Sequence, residues 1–213
     1  MKQIHQQDSA LSNLEFLDRH AQPGRIGLAG GTAFIDRSIR KMQRSLQPDI
    51  GASLWSHAFI CSGRRIDGQH WLLESDLEFH RKQIRLGVQE NRASKYADAH
   101  EYPNLAILDF SLNAEQTRLV LTEGLDLLAG LARYSLREIV GTLFALQRPA
   151  LRARENLLAR EGSLYCSALV QHCYARAGVE FAPGISVKNT TPQDIAATPV
   201  AHDAYVLVRE NAI

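Results

Sequence analysis

The order in which strand-like and helix-like patterns follow one another most constrains what this chain can fold into. Alternating or continuously apolar segments predict strands at residues 54–61, 70–75, 84–88 and 105–110. A helical pattern of leucine and valine follows over 113–131, with Asn113 in a suitable capping position. Strands grouped before helices are typical of an α+β domain. We therefore expect an antiparallel β-sheet, or a small barrel, with helices packed on one side.

Shorter patterns extend this prediction towards both ends of the chain. Further strands are predicted at 25–28 and 205–208, and further helices over 9–20, 32–42, 135–147, 163–178 and from Thr191. A length of 213 residues suits a single domain spanning 1–213. In that domain we expect residues 1–23 to be an N-terminal helical extension. Residues 113–160 are expected to form a helical insertion that either caps a groove or belongs to the core.

The composition fits a globular protein with a sizeable core, since 45% of the residues are hydrophobic and 22% are charged. A formal net charge of +1 argues against nucleic acid as a partner. Because no apolar run approaches the roughly 20 residues needed to span a bilayer, no integral membrane segment is predicted, and the polar N-terminus predicts no signal peptide. Three cysteines without scaffold spacing favour a reducing compartment, and hence the cytoplasm. The oligomeric state stays open.

One of the three cysteines lies where a thiolate is favoured. Cys166 falls in the first turn of the helix predicted over 163–178, with Ser163 as a candidate cap. Free N–H groups and the positive end of the helix dipole favour an anion at that place. Cys173, two turns further on, and Cys61, at the end of a strand, are predicted to pack in the core. Cys166 is therefore the candidate nucleophile, although a buried structural cysteine satisfies the same pattern.

A histidine at the start of an apolar strand is the candidate acid–base group. A cysteine nucleophile needs a neighbouring imidazole and a third polar group that orients the ring. His57 lies in the strand predicted over 54–61, where a lone histidine is usually a hydrogen-bonded core residue. Glu74 could reach that ring from a hairpin partner strand. Rival third members are His70, Asp76 and His80. These residues alone leave a catalytic set and a set of core residues equally well supported.

Other chemistries lack their sequence signatures. The cysteines and histidines show no zinc-finger spacing, and Cys166 and His172 fall on different faces of a helix. Residues 27–31 (GLAGG) lack the third glycine of a dinucleotide fingerprint and the lysine of a P-loop. The chain has no Gly-x-Ser-x-Gly elbow. We expect no cofactor and no metal.

Five short blocks resemble those of a known family, in the same order along the chain. The blocks are 24–28 (GRIGL), 55–60 (WSHAFI), 72–75 (LLES), 165–170 (YCSALV) and 191–195 (TPQDI). They resemble the Gly-Asp-Ile, Ser-His-Val-Gly-Ile, Val-Ile-Glu-Ala, Tyr-Cys-Ser-Glu-Leu-Val and Thr-Pro-x-Asp-Ile blocks of circularly permuted NlpC-type papain-like cysteine hydrolases. This group contains the YiiX-like proteins. Three positions depart from the residues usual in the family: Arg25, Ser135 and Ala168.

The resemblance implies a permuted papain-like (NlpC-like) fold with a Cys–His–Glu site. Cys166 is then the nucleophile, His57 the residue that accepts and returns its proton, and Glu74 the residue that fixes the ring. The departures concern substrate contacts and leave these three residues in place.

Three functions follow as expectations. The first is a thiol hydrolase of the amidase or peptidase type, which attacks an amide or ester carbonyl through a thioester intermediate. The second is an acyltransferase or lipid-acyl thioesterase of the lecithin:retinol acyltransferase type. The third is a non-catalytic domain that binds a ligand in the same groove. The expected partner is a small-molecule, peptide or lipid-like substrate.

Overall fold

The computed structural model describes residues 2–46, 53–80, 83–130 and 165–209. The strands in these ranges are β1 (Lys2–Gln6), β2 (Ile26–Gly30), β3 (His57–Arg64), β4 (His70–His80), β5 (Gln83–Arg92), β6 (Asn104–Asp109) and β7 (His202–Val208). The α-helices are α1 (Asn13–His20), α2 (Phe34–Leu46), α3 (Ala114–Ala129), α4 (Cys166–Arg176) and α5 (Pro192–Ala196). Two 3₁₀-helices, Ala93–Tyr96 and Val187–Asn189, lie between them.

The strands form one seven-stranded sheet in the order β1-β7-β6-β2-β3-β4-β5. Neighbouring strands are antiparallel, except that β1 and β7 are parallel. The predicted α+β class, a sheet packed against helices, is confirmed. Strand β3, which begins at His57, lies inside the sheet between β2 and β4. Pairing on both sides holds the register of this strand, because a slip would move its side chains to the opposite face.

The edge strand β1 was not predicted, because its five residues show no strand pattern. Its sequence KQIHQ has one apolar residue, and all of its side chains are exposed. It joins the sheet by pairing its backbone with β7. The part predicted as a helical extension over 1–23 is therefore a strand followed by helix α1. That helix begins with a capping box in which Ser12 and Glu15 each bond the backbone N–H of the other.

Helices cover both faces of the sheet, whereas the prediction had them on one side. Every residue of β2 and the first five of β6 are buried, so both faces of these central strands need cover. On one face α3, α4 and α5 pack on side chains that include Leu28, Ala58 and Leu73. On the other face α1 and the 3₁₀-helix Ala93–Tyr96 pack on side chains that include Phe59. Short continuous apolar runs do not reveal which face a helix covers.

A close approach between β2 and β3 shapes the region next to His57. Gly27 lies against the Phe59 ring, and a Cβ at residue 27 would come within 1.9 Å of it. The Phe59 ring stacks on Tyr96, with ring centroids 4.9 Å apart. Glycine at this point therefore lets an aromatic pair pack flat on the sheet. The Tyr96 ring centroid lies 6.3 Å from that of His57 as a result.

The predicted helices largely agree with the structure where it describes them. Helix α3 begins with a capping box formed by Asn113 and Gln116. Its side chain Val120 packs into the core with those of α4. The helix predicted over 135–147 and the cap Ser163 lie outside the described residues. Whether 113–160 caps a groove therefore stays a prediction.

No helix in the described ranges combines the length and apolar character needed to cross a membrane.

Candidate functional site

His57 and Glu74 meet across neighbouring strands. His57 is the first residue of β3, and Glu74 lies in the middle of β4. His57 Nε2 is 2.9 Å from Glu74 Oε2. Both side chains are shielded from solvent, with 13% of the His57 side chain exposed and none of the Glu74 side chain. Two of the three residues predicted for the site are thus in direct contact.

Cys166 approaches the same imidazole ring. It is the first residue of α4, follows Tyr165 at the cap position, and is partly exposed. Its side chain interacts with the His57 ring, and this interaction raises the pKa of His57. Because Nε2 faces Glu74, Nδ1 is the ring nitrogen available to the sulfur. The three predicted residues therefore stand in the sequence carboxylate, imidazole, thiol.

The segment before α5 fixes the start of α4. Tyr165 Oη and Ser167 Oγ both donate to the backbone carbonyl of Thr190, at 2.9 Å and 2.7 Å. The side chain of Tyr165, at the cap position, does not bond the first turn of α4. Backbone N–H groups at such a helix start are oriented to bind an anion. The nucleophile candidate thus lies beside donors suited to an oxyanion.

The Glu74 carboxylate is fully buried and has four hydrogen-bond partners. Glu74 Oε1 accepts from Asn91 Nδ2 and Lys95 Nζ, each at 2.7 Å. Glu74 Oε2 faces His57 Nε2 at 2.9 Å and accepts from Tyr96 Oη at 2.5 Å. Burial by itself would raise the pKa of Glu74. The hydrogen bond from His57 and the charge of Lys95 outweigh burial and hold this pKa far below its usual range. Glu74 is therefore ionised at neutral pH.

Charges around the ring favour the protonated form of His57. Burial is the largest influence, and it lowers the pKa of His57. The negative charges of Cys166 and Asp76 oppose burial, as do hydrogen bonds to Cys166 and Glu74. Together they raise the pKa of His57 well above 6.5. The site thus favours the protonated form of the imidazole that faces Cys166.

Asn91, Lys95 and Tyr96 contact Glu74 but were not predicted for the site. Asn91 lies on β5 opposite Leu72, which places it diagonal to Glu74 on the same face of the hairpin. Lys95 and Tyr96 lie in the 3₁₀-helix that follows β5. The hairpin register would have indicated Asn91. No sequence motif marks the other two.

One of the rival third members, His70, has other partners than the His57 ring. His70 Nε2 lies 3.3 Å from Arg64 Nη2 and 3.4 Å from Asp18 Oδ1. The side chain of His80 lies outside the described part of the chain. Glu74 is therefore the carboxylate that contacts the imidazole.

The third rival, Asp76, completes a cluster of potential metal ligands. One ligand atom each from His57, Glu74 and Asp76 lie within 4.8 Å of one another. The two carboxylates also hold Lys95 Nζ, which is 2.7 Å from Glu74 Oε1 and 2.5 Å from Asp76 Oδ2. A metal ion and the Lys95 ammonium would compete for the same oxygens.

The other two cysteines differ sharply from Cys166. Cys61 and Cys173 are fully buried in the two core clusters, as predicted. Burial raises the pKa of each of these thiols to about 12. Neither is suited to act as a nucleophile, because the thiolate is the reactive form.

The structure describes the surroundings of two of the positions that depart from the residues usual in the family. Arg25 Nη2 lies 2.5 Å from Asp109 Oδ2, and its guanidinium lies 5.6 Å from the centre of the Tyr205 ring. Ala168 is fully buried in the core beneath α4. The third departure, Ser135, lies outside the described residues.

A cleft of about 420 Å³ opens beside the segment that leads into His57. Its walls come from β1, β2, β6, β7 and α5, together with Leu54 and Trp55. Aliphatic side chains such as Leu28, Leu108 and Ala197 supply much of the lining. The cleft is therefore suited to an apolar group.

A comparison with solved structures finds one with the same overall fold. The chain is similar to a crystal structure described as metalloprotein YiiX from Escherichia coli O157:H7, with a TM-score of 0.53. The match covers 89% of this chain and 97% of that one, at 12% sequence identity. The chain has a YiiX-like fold. No family model and no curated protein matches the sequence. At this identity the likeness to YiiX concerns the fold alone.

Proposed function

We propose that this protein is a thiol hydrolase that uses Cys166, His57 and Glu74 on a permuted papain-like site. The observation that carries the proposal is that a buried, ionised Glu74 bonds the His57 ring, which in turn interacts with Cys166 at the start of α4. A carboxylate, an imidazole and a nucleophile in this order are the parts needed for acyl transfer. The YiiX-like fold supports the arrangement at the level of architecture.

In this proposal each of the three residues takes part in a defined step. The Cys166 sulfur attacks the carbonyl carbon, a C–S bond forms, and the π electron pair moves to oxygen. Backbone N–H groups at the start of α4 stabilise that oxyanion. As the tetrahedral intermediate collapses, the leaving amine or alcohol takes the proton from His57. Water, deprotonated by His57, then attacks the thioester, which releases a carboxylic acid and the thiol. Glu74 holds the ring through both steps.

Acyl transfer to a nucleophile other than water shares the thioester intermediate. The apolar cleft beside Trp55 favours substrates with an aliphatic acyl group, because its lining buries hydrocarbon. Lipid-like esters and amides are therefore the first substrates to test. If the protein is instead a non-catalytic binding domain, these substrates should leave no acyl group attached to Cys166.

The first test compares the reactivity of the three thiols. Iodoacetamide should modify Cys166 well before Cys61 and Cys173, because burial keeps the latter two protonated. In the wild type the rate should already be high near neutral pH, since the His57 imidazolium stabilises the thiolate. In His57→Ala the alkylation rate should instead rise with pH through a midpoint near 8.5, which is about the pKa of an ordinary cysteine. Peptide mapping by mass spectrometry at a series of pH values measures both effects.

The control for this test is His70→Ala, which removes a histidine whose ring contacts Arg64 and Asp18. Its alkylation profile should match that of the wild type. Equal and slow alkylation of Cys166 in wild type and His57→Ala would contradict the proposed function.

The cleft makes a prediction about acyl chain length. Ala197 lines the cleft and is partly exposed, so Ala197→Phe should fill space without opening the core. The variant should lower kcat/KM for p-nitrophenyl dodecanoate by about tenfold or more, a loss of roughly two buried CH₂ groups. The rate with p-nitrophenyl acetate should stay unchanged. Ala201→Phe, at an exposed position outside the cleft, is the matched control, and an equal effect on both esters would exclude the cleft as the acyl site.

A metal-dependent function is the alternative suggested by the description of YiiX as a metalloprotein. The candidate ligands in this chain are His57, Glu74 and Asp76. They do not fit a metal ion as arranged, because both oxygens of Glu74 already have two donors each. The proposed mechanism therefore has no metal-dependent step.

A further inference from the structure

The ammonium of Lys95 lies at the point where the carboxylates of the site converge. Lys95 Nζ is 2.7 Å from Glu74 Oε1 and 2.5 Å from Asp76 Oδ2. Only 20% of the Lys95 side chain is exposed. A lysine brings one positive charge and up to three donors to such a position. Without this ammonium, the two carboxylates would have one positive charge fewer beside them.

The 3₁₀-helix Ala93–Tyr96 holds this ammonium in place. Tyr96, the next residue, donates its hydroxyl to Glu74 Oε2, so consecutive residues bind the two oxygens of one carboxylate. The backbone carbonyl of Tyr96 accepts from Asn13 Nδ2 at 2.8 Å, and its ring stacks on Phe59. The position of the cation is therefore set by packing on the sheet.

The charged and titratable groups around Glu74 come from four elements and from the loop before β6, which supplies Tyr102. Strand β3 supplies His57, β4 supplies Asp76, the 3₁₀-helix supplies Lys95 and Tyr96, and α4 supplies Cys166 through its contact with His57. Lys95 is the permanent cation among them. Without it, Glu74 and Asp76 would share a site with His57 as the one remaining positive group.

We propose that Lys95 is the resident cation of this cluster, occupying the place of a divalent metal, and that it positions Glu74 on His57. The first part concerns the metal and stands by itself. The second part rests on the proposed function, because it links Lys95 to the reactivity of Cys166. Lys95 touches neither the sulfur nor a substrate in this scheme, so it is a positioning residue.

The metal part is tested with zinc alone. The Cys166→Ser protein is used, because a thiolate beside an imidazole binds zinc without help from carboxylates. Competition with a chromophoric chelator should show no stoichiometric zinc on this protein. Adding Lys95→Met should free the carboxylates and tighten zinc binding by at least about tenfold, the change expected when one competing positive charge is removed. Lys95→Arg retains the charge and should bind no zinc.

Two outcomes would overturn the metal part. One is an equivalent of zinc bound by Cys166→Ser and lost on adding His57→Ala, since the metal would then coexist with Lys95. The other is equal zinc affinity with and without the ammonium in proteins that circular dichroism shows to be folded.

The positioning part is tested by the pH profile of Cys166 alkylation. With Lys95→Met, Glu74 and Asp76 lose the ammonium that both contact, which loosens the hold of Glu74 on the His57 ring. Alkylation should slow by about tenfold near pH 6 and approach the wild-type rate near pH 9, where an ordinary thiol is ionised. Lys95→Arg should restore the profile to within about twofold, because the charge is retained.

The matched control is Lys41→Met, an exposed lysine on α2, which should leave the profile unchanged. A merely structural role would slow Lys95→Met by the same factor at every pH, and that result would overturn the positioning part. If instead wild-type Cys166 is as slow as in His57→Ala, the proposed function fails, while the zinc result still decides the metal part.

Discussion

Replacing Glu74 with alanine should lower the free energy of unfolding by about 3–5 kcal/mol, the usual result of removing one partner from a buried ion pair. The carboxylate is fully buried and bonds His57, Asn91, Lys95 and Tyr96. Its loss removes the acceptor of the buried Tyr96 hydroxyl and of three partly buried donors, and leaves the Lys95 ammonium with one carboxylate fewer. For a domain of this size the melting temperature should fall by roughly 6–20 °C. Thermal and urea unfolding followed by circular dichroism would measure the loss.

Glu115→Ala is the matched control for this stability prediction. Glu115 also forms an ion pair, with Arg118, but both of these side chains are more than half exposed. An exposed pair contributes little, so the melting temperature should hardly change. A similarly small effect of Glu74→Ala would show that the buried network does not stabilise the fold.

The Glu74 carboxyl also sets a pH dependence. Its pKa is lower in the folded protein than the ordinary value of 4.5. Its contribution is therefore fully present above about pH 4.5 and is lost as the pH falls through the folded value. Wild-type stability should drop on acidification below this point. The Glu74→Gln variant has no carboxyl to titrate at this position, so its free energy of unfolding should fall less steeply as the pH is lowered. It should be less stable than the wild type at neutral pH, because an amide has one accepting oxygen where the carboxylate has two.

The parts of the site that sequence could predict are those marked by local pattern. Cys166 stood out because it begins an amphipathic helix, and His57 because it interrupts an apolar strand. The predicted hairpin made Glu74 one of several candidates for the third residue, and the resemblance to the family selected it among them. The sequence also distinguished Cys61 and Cys173 from the nucleophile candidate. Each lies within an apolar stripe or strand, which predicted that both would be buried.

The parts that sequence could not predict depend on tertiary contacts or on backbone pairing. Lys95 and Tyr96 reach Glu74 from a 3₁₀-helix after a long hairpin, and no spacing rule links residues so placed. Strand β1 pairs through its backbone at the sheet edge, so its side chains carry no periodic signal. The second covered face escaped prediction because fully buried strands such as β2 lack the alternation that identifies a face.

The largest effect on activity should come from the Cys166–His57 pair itself. Cys166→Ser and His57→Ala should each lower kcat for p-nitroanilide amide substrates by about 10⁴-fold or more, as for residues that act as one unit in other acyl-transfer enzymes. Thermal unfolding should show that both variants fold, since neither residue carries the buried carboxylate. Turnover measured by absorbance at saturating substrate checks the prediction.

The decisive measurement is the double variant Cys166→Ser/His57→Ala. If the imidazole acts only through the sulfur and the leaving group, removing it from a protein that already lacks the thiol should cost little further, and the two losses should not multiply. With a p-nitrophenyl ester, whose leaving group needs no proton, His57→Ala should lose less activity than with an anilide. Multiplicative losses on both substrates would separate His57 from Cys166 and contradict a shared catalytic unit.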